Sequence, residues 1–304
     1  MRSWRLKAHA KINLFLEIGA NRNGFHPIDS IFLKLALHDE MKVRESSEFS
    51  IVQKSGYEIP AGTDNILYKV WDGLRGRVKK AFRIEISKNI PSGGGLGGGS
   101  SDAASFLNFL DARYEVFENV QDKMKYAYEL GKDIPFFLIP ENAAEITGIQ
   151  DEIRPFMSRS TARINIFFPG FASPTKEVYS VFDKNVREIL TKNEKKDKIK
   201  IYLDNCSLEL MKDEVFNDLE DPFFDINPGI RDIYEKIKQR SSLALLSGSG
   251  SCVYYMPGQY ADPSFPGGRI IKTRLLGCRQ AERQRPLEPL FGGSNPSTPA
   301  IIKI

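Results

Sequence analysis

Cysteine is scarce in this 304-residue chain: Cys206, Cys252 and Cys278 are the only three, odd in number and widely spaced. Such a set supplies neither a disulfide framework nor a CxxC or Cys/His cluster of the kind that holds zinc, and it fits a reducing cytoplasm. Long apolar runs are missing too. No segment reaches the roughly 20 apolar residues that span a bilayer. The N-terminal "MRSWRLKAHAKINLFLEIG" begins basic and turns apolar, but Lys11, Asn13 and Glu17 interrupt any signal-like core. Charge of one sign is not in excess either. The 43 basic and 39 acidic residues leave +4, too little to argue for a nucleic-acid partner. The run "KNEKKDKIK" (192–200) interleaves its lysines with acids and reads as a solvated loop. No internal repeat is visible.

What is present describes a globular protein long enough for two domains, with 41% hydrophobic and 27% charged residues. Residues 4–18 alternate, Leu6, Ala8, Ala10, Ile12, Leu14, Leu16 and Ile18 on one face and Lys7, His9, Lys11, Asn13 and Glu17 on the other, which predicts a half-buried strand. "NRNGFHP" is a turn, "DSIFLKLALHDEMKVRE" and "AFRIEIS" read as strands, and "DNILYKVWDGLRGR" reads as a helix capped by Asp64. "SSDAASFLNFLDARY" and "VQDKMKYAYELG" predict two more helices, the second stopped by Gly131. "ARINIFFPG" returns to strand, helices follow near 175–190 and 226–240, and "SLALLSGSGSCVYYM" reads as strand, glycine turn, strand. Strands and helices mixed without a regular βαβ rhythm argue an α+β fold. The expected division is 1–158, 159–280 and a tail, 281–304. From Pro257 onward, a stretch holding 7 of the 17 prolines, only "RIIKTRL" reads as strand; the rest reads as loop or disorder.

The most informative stretch is "NIPSGGGLGGGSSDAASFL" (89–107), with six glycines between Gly93 and Gly99. A glycine-rich bend opening a helix lets backbone N–H groups approach an anion. The helix N-terminus adds partial positive charge, and Ser100 and Ser101 add hydroxyls for phosphate oxygens or a metal ion. The plainer reading is a tight packed loop or a linker, although linkers seldom run straight into a helix start. No GK[ST] follows, so the P-loop pattern fails. Gly93, Gly95 and Gly98 satisfy GxGxxG, but no parallel strand ending in a ribose-binding acid follows, so a dinucleotide-binding oxidoreductase is not supported.

"IPSGGGLGGGSSDAA" closely resembles the second motif of the GHMP small-molecule kinases. "AKINLFLEIGANRNGFHPIDSIF", "DNIL", "GKDIPFFL", "SPTKEVY", "NDLE" (217–220) and "LLSGSGSCVYY" stand in that family's order, from about residue 7 to 256. The resemblance implies a GHMP kinase fold, with an N-terminal domain like the second domain of ribosomal protein S5 and a ferredoxin-like C-terminal domain. It implies ATP and Mg²⁺ as cofactors and, as acceptor, an alcohol joined to cytidine diphosphate in isoprenoid precursor synthesis. Pro91, Ser92, Gly93, Gly94, Gly95, Leu96, Gly97, Gly98, Gly99, Ser100 and Ser101 would wrap the phosphates, and Asn65 would lie near the adenine. By themselves Lys11 and Asn13 read as a solvated sheet face, and Asp133 as a cap or turn residue. The resemblance makes Asp133 the catalytic aspartate beside the reacting hydroxyl, Lys11 its charge partner, and Asn13 a substrate contact.

Phe25 and His26 stand where the family usually has Tyr-His for cytosine recognition, Tyr179 matches its second stacking aromatic, and Thr175 matches the residue near the polyol. Without the resemblance, Phe25 is turn packing and His26 an incidental surface histidine. Gly248, Ser249 and Gly250 match a third motif that supports the loop from below; alone they are a hairpin turn. Three departures stand out: Pro174 for the usual serine, "TGIQDEI" (147–153) for a more glycine-rich stretch, and a poor fit after Met256. No metal ligand is assigned. The expected assembly is a monomer or weak homodimer. Two other readings remain open: a GHMP kinase for another small alcohol, and a non-catalytic nucleotide sensor on the same fold.

Overall fold

The computed structural model describes residues 2–184, 193–258, 267–277 and 301–304. The first part of the chain forms β1 (Ser3–Ile18), β2 (Ile28–Ser46), β3 (Ser50–Gly56), α1 (Ile66–Leu74), β4 (Ala81–Lys88), α2 (Gly98–Tyr114), α3 (Val120–Leu130), α4 (Ile134–Leu138), β5 (Ala143–Gly148) and β6 (Glu152–Phe156). The remainder forms β7 (Arg163–Phe168), α5 (Thr175–Lys184), α6 (Asn193–Asp204), β8 (Phe216–Asn217), α7 (Glu220–Ile226), α8 (Pro228–Lys238), β9 (Ala244–Leu246), β10 (Val253–Tyr255), β11 (Arg269–Arg274) and β12 (Ile302–Lys303). The mixture is α+β, with strand pairing mostly antiparallel.

β1 and β2 pair along most of their length and form the spine of the first sheet, ordered β12-β6-β5-β2-β1-β8 with β4 attached to β2 and β3 to β4. β2 is long enough to hold two neighbours on its far edge: β5 pairs with residues 28–33 and β4 with residues 40–46. The gap between them is filled by other partners. Leu276 N–H donates to Lys34 O, and the Asp39 carboxylate accepts from the N–H groups of Asn89 and Ile90. The second sheet runs β11-β7-β10-β9. Helices α1 to α4 cover one face of the first sheet in one core cluster, while Ile164, Ile166 and Tyr254 of the second sheet join Ile12 and Leu14 in another.

That arrangement corrects the half-buried strand. From Ala8 to Ile18 β1 is buried on both faces. Register shifts at His9/Lys11 and Asn13/Phe15 change which face each residue meets, so Ala8 and Leu16 join the helix-side cluster while Ala10, Ile12, Leu14 and Phe15 join the other. An extra residue at a bulge reverses the alternation that the pattern assumed to be continuous.

Other expectations also change. Asn65, not Asp64, caps α1, its side chain accepting from Leu67 N–H at 2.9 Å. Gly131 ends α3 with extended backbone. Most of 192–200 belongs to helix α6 rather than a loop: Lys196 and Ile199 are buried, and Lys196 pairs with Asp29. The charges of that run mark a solvated helix face, and the pattern offered too few apolar residues to reveal the other one. β12 pairs with β6, so the chain's last residues are ordered against the first sheet rather than loop. Residues 185–190 of the predicted helix, Cys278 and 281–300 of the tail lie outside the described residues. Among the described residues no helix is long and apolar enough to cross a membrane.

Candidate active site

The glycine loop leaves the end of β4 and enters α2. Its carbonyls are tied to the body of the protein: Gly93 O accepts from Ser173 N–H (2.9 Å), Gly94 O from Cys252 N–H (3.2 Å), Gly95 O from Ser247 Oγ (3.0 Å) and Leu96 O from Lys11 N–H (2.9 Å). Because a trans peptide places C=O and the following N–H on opposite sides, these bonds turn the N–H groups of Gly94, Gly95, Leu96 and Gly97 away from the body. Positive φ and close packing require glycine in this loop, as Gly95 and Gly97 show. Gly95 has φ +77° and an added Cβ would lie 1.9 Å from Ser247 O; Gly97 has φ +72° and its Cβ would lie 2.7 Å from the Phe137 ring. α2 then starts without a side-chain cap, leaving its first amides open. The loop lines a cleft of about 410 Å³ with Ile59, Asn65, Lys88 and Asp102.

All eleven loop residues expected around a phosphate, Pro91 through Ser101, fall at or beside this cleft, but not equally. Residues 91–100 line it, whereas the Ser101 side chain is buried on the other side of the α2 start, in a pocket with Lys34 and Phe137. Ser92 Oγ donates to Glu58 O. Asn65 lines the cleft while spending both side-chain groups on structure, its Nδ2 donating to Pro60 O at 3.1 Å.

Lys11, 4% exposed, sits next to the loop, its Cγ 3.2 Å from where a Gly97 Cβ would be. Its ammonium donates to Asn13 Oδ1 at 2.8 Å, lies 3.6 Å from Asp133 Oδ2 and rests over the Phe32 ring. Asp133 precedes α4 without capping it, so its carboxylate, a quarter exposed, stays free for other work. Burying a lysine is costly unless an acid and hydrogen bonds hold it, and both are here. Asn13 is buried against Lys11 and Ser30, to whose Oγ its Nδ2 donates. It positions the ammonium from behind.

The residues expected on the acceptor side lie on or near α5. His26 Nδ1 donates to Gly19 O at 2.9 Å, its Nε2 lies 3.2 Å from Asp183, and its ring meets Tyr179 at 5.2 Å. Burial, with the Asp133 charge second, pushes the Tyr179 hydroxyl up to about 12, so Tyr179 stays neutral. Phe25 is 53% exposed, with the Lys132 ammonium 5.2 Å from its ring. Thr175 Oγ1 lies 2.9 Å from Ser249 Oγ, linking the α5 start to the third motif. Pro174 fits there, since its carbonyl accepts the first helical bonds from Glu177 and Val178 and no N–H is needed.

Three features escaped the sequence reading. Asn217 Nδ2 donates to Leu246 O and Gly248 O, and Glu220 Oε1 accepts from Leu246 N–H and Tyr234 O–H; "NDLE" thus clamps the turn that carries the loop. Burial pushes Glu220 up to about 7. Beneath the loop, Lys88 is buried between Asp39 and Asp102. "NDLE" was visible as a motif without a role, whereas nothing in spacing joins positions 39, 88 and 102.

Residues 65–140 match the family described as GHMP kinases N terminal domain. The 4-diphosphocytidyl-2-C-methyl-D-erythritol kinase of Persephonella marina is 32% identical over 281 residues, spanning 89% of this chain and 98% of that protein. That of Thermotoga maritima is 30% identical over 271 residues, spanning 88% and 97%. A crystal structure of 4-(cytidine 5'-diphospho)-2C-methyl-D-erythritol kinase aligns with TM-score 0.70 at 26% identity, over 90% of this chain and 99% of that one. The mevalonate kinase of Methanococcus jannaschii, at TM-score 0.58 and 16% identity over 91% and 99%, shares the fold alone. With relatives of this identity matched over nearly their whole length, and a glycine loop lying beside a Lys–Asp pair, the chain belongs to the 4-diphosphocytidyl-2-C-methyl-D-erythritol kinase family of GHMP kinases.

Proposed function

We propose that this protein transfers the γ-phosphoryl group of ATP to the 2-hydroxyl of 4-diphosphocytidyl-2-C-methyl-D-erythritol, in the cytoplasm, as a monomer or weak homodimer. The observation that carries the reading is the Lys11–Asp133 pair at 3.6 Å, beside a loop whose carbonyls from Gly93 to Leu96 are tied inward. The outward amides of that loop and the open start of α2 hold the triphosphate. Asp133 orients the acceptor hydroxyl and accepts its proton late, because phosphoryl transfer through a loose transition state needs positioning more than base strength. Lys11 orients Asp133 and offsets charge on the transferring group. Phe25 presents an open ring for the cytosine, His26 and Tyr179 form the opposing wall, and Thr175 reaches the polyol.

Mg²⁺ fits as a passenger of the nucleotide. Among the described residues no group of three or more His, Cys, Asp or Glu is arranged to cage a metal, and Mg²⁺ commonly binds through substrate phosphates, water and one or two carboxylates. When bound it shields phosphate charge. We further propose that the chain divides near residue 158, with the reaction between the two parts. The test is purified protein with ATP and a panel of alcohols, scored for ADP release. Turnover with the cytidylyl substrate above mevalonate and homoserine is expected; equal turnover with all, or none with the cytidylyl compound, overturns the reading.

A further inference from the structure

Beneath the glycine loop three charged side chains are buried together. Lys88 is 3% exposed, Asp39 0% and Asp102 3%. Asp39 is fully occupied, one oxygen on the Lys88 ammonium and the other accepting from Asn89 and Ile90 N–H at 2.6 and 2.9 Å, so it is the fully bonded counterion of Lys88. Asp102 is different. Its Oδ2 accepts from Lys88 at 2.6 Å, while its Oδ1 is buried and has no hydrogen-bond partner among the described residues. An ionised carboxylate oxygen with no donor in an apolar interior is costly, and a proton on it removes most of that cost. The cluster also sits against the phosphate cradle: Lys88 Nζ is 3.3 Å from where a Gly98 Cβ would be, and both Lys88 and Asp102 line the cleft.

We propose that Asp102 carries a proton whenever nucleotide is bound, so that the Asp39–Lys88–Asp102 cluster under the loop is neutral rather than negative. With Asp102 ionised the three groups sum to minus one, directly beneath amides that hold phosphates; with Asp102 protonated they sum to zero. The proton comes from solvent and stays on the carboxyl, so no group is transferred. Desolvation raises Asp102 to about 7, Asp39 pushes it the same way, and Lys88 opposes both. Lys88, held by two acids, is raised and stays charged. The other charged residue lining the cleft is Asp64, exposed on the opposite lip. Asp102 is thus a positioning residue whose effect is read through the nucleotide's affinity.

The proposal rests on the cleft being a nucleotide site, and the experiment separates the two ideas. Calorimetry with a non-hydrolysable ATP analogue is run from about pH 6 to about pH 9, with and without Mg²⁺, on wild type and Asp102→Asn. Wild-type affinity is expected to fall by up to tenfold per pH unit above about pH 7 relative to the variant. Asp102→Asn, a neutral isostere at every pH, is expected to keep the affinity of the acid limb. Titration of the analogue's own phosphate is common to both proteins and cancels. Should the variant not fold, wild type in buffers of different ionisation enthalpy suffices: uptake approaching about one proton per nucleotide near pH 8, in excess of the analogue's own, is expected. Parallel profiles, or no excess uptake, overturn the role of Asp102 and leave the site. Loss of affinity in Asp102→Asn only when Mg²⁺ is present overturns it too, because the carboxylate then faces a cation. Failure of wild type to bind the analogue at any pH overturns both ideas.

Discussion

The two walls of the proposed site are built from different materials: backbone amides in the glycine loop for the nucleotide, aromatic and hydroxyl side chains near α5 for the acceptor. The loop from Gly93 to Leu96 is tied at each carbonyl to another part of the protein, β1 and the 247–252 turn included. The acceptor wall depends on the turn around Phe25 and one face of α5, with Phe25 half exposed. A wall of amides recognises what all nucleotides share and leaves no room for a Cβ at Gly95 or Gly97. A wall of side chains can be rewritten one residue at a time without disturbing the fold, so discrimination among acceptors belongs there.

The largest effect should come where the walls meet. Asp133→Asn keeps the shape but removes the proton acceptor and the partner of Lys11. kcat should fall on the order of 10²–10⁴-fold with KM for ATP little changed. Lys11→Met should lose a comparable amount, and the double variant should be little worse than the worse single one, since the two act as a unit. Steady-state kinetics decide this; multiplicative losses would separate their roles, and an Asp133→Asn enzyme within a few-fold of wild type would remove Asp133 from the chemistry.

Next in size is the backbone wall. Gly97→Val forces a branched residue into positive φ and against Phe137 and Lys11, a strain on the order of 1–3 kcal/mol that falls on the nucleotide site. Analogue affinity should drop accordingly while circular dichroism stays native; wild-type affinity would mean that the loop does not hold phosphates. On the other wall, Tyr179→Ala removes one ring and should raise KM for the cytidylyl substrate by roughly 1–3 kcal/mol, sparing kcat and ATP. An unchanged KM would take Tyr179 out of base recognition.

The smallest effect tests the clamp behind the loop. Glu220 is raised from 4.5 to about 7 by burial, so the folded protein holds its proton more tightly than the unfolded chain does. The stabilisation is full below about pH 4.5 and is lost as pH rises through about 7. Glu220→Gln keeps an acceptor for Leu246 N–H and Tyr234 O–H without the charge, and should be more stable than wild type at pH 8 by about 1–2 kcal/mol. Urea midpoints at acid and alkaline pH measure the difference; equal slopes with pH would show that Glu220 is not buried as a titrating group.

Much of the site was legible because its chemistry is local. Six glycines before a helix start and "GKDIPFFL" after a helix end are contiguous strings, and their positions in the fold follow from the elements they punctuate. The wider polar set was not. Asp39, Lys88 and Asp102 sit on two strands and a helix, and each alone reads as an ordinary surface charge. Nor did spacing show that Asn13, expected at the substrate, is hydrogen-bonded to Lys11 and Ser30.

The sequence by itself determined the α+β class, the helix and strand periods, the glycine loop at a helix start and the residue types offered to the proposed phosphoryl transfer, since each depends on neighbours within a few positions. Only the tertiary structure decided which face of β1 Lys11 occupies, because bulges near His9 and Asn13 shift the alternation. It also decided which buried carboxylate is fully bonded and which keeps an unpartnered oxygen. Burial and hydrogen-bond partners are properties of what packs across from a residue, and that lies tens to hundreds of positions away: 49 for Lys88 and Asp39, 200 for Ile18 and Asp218.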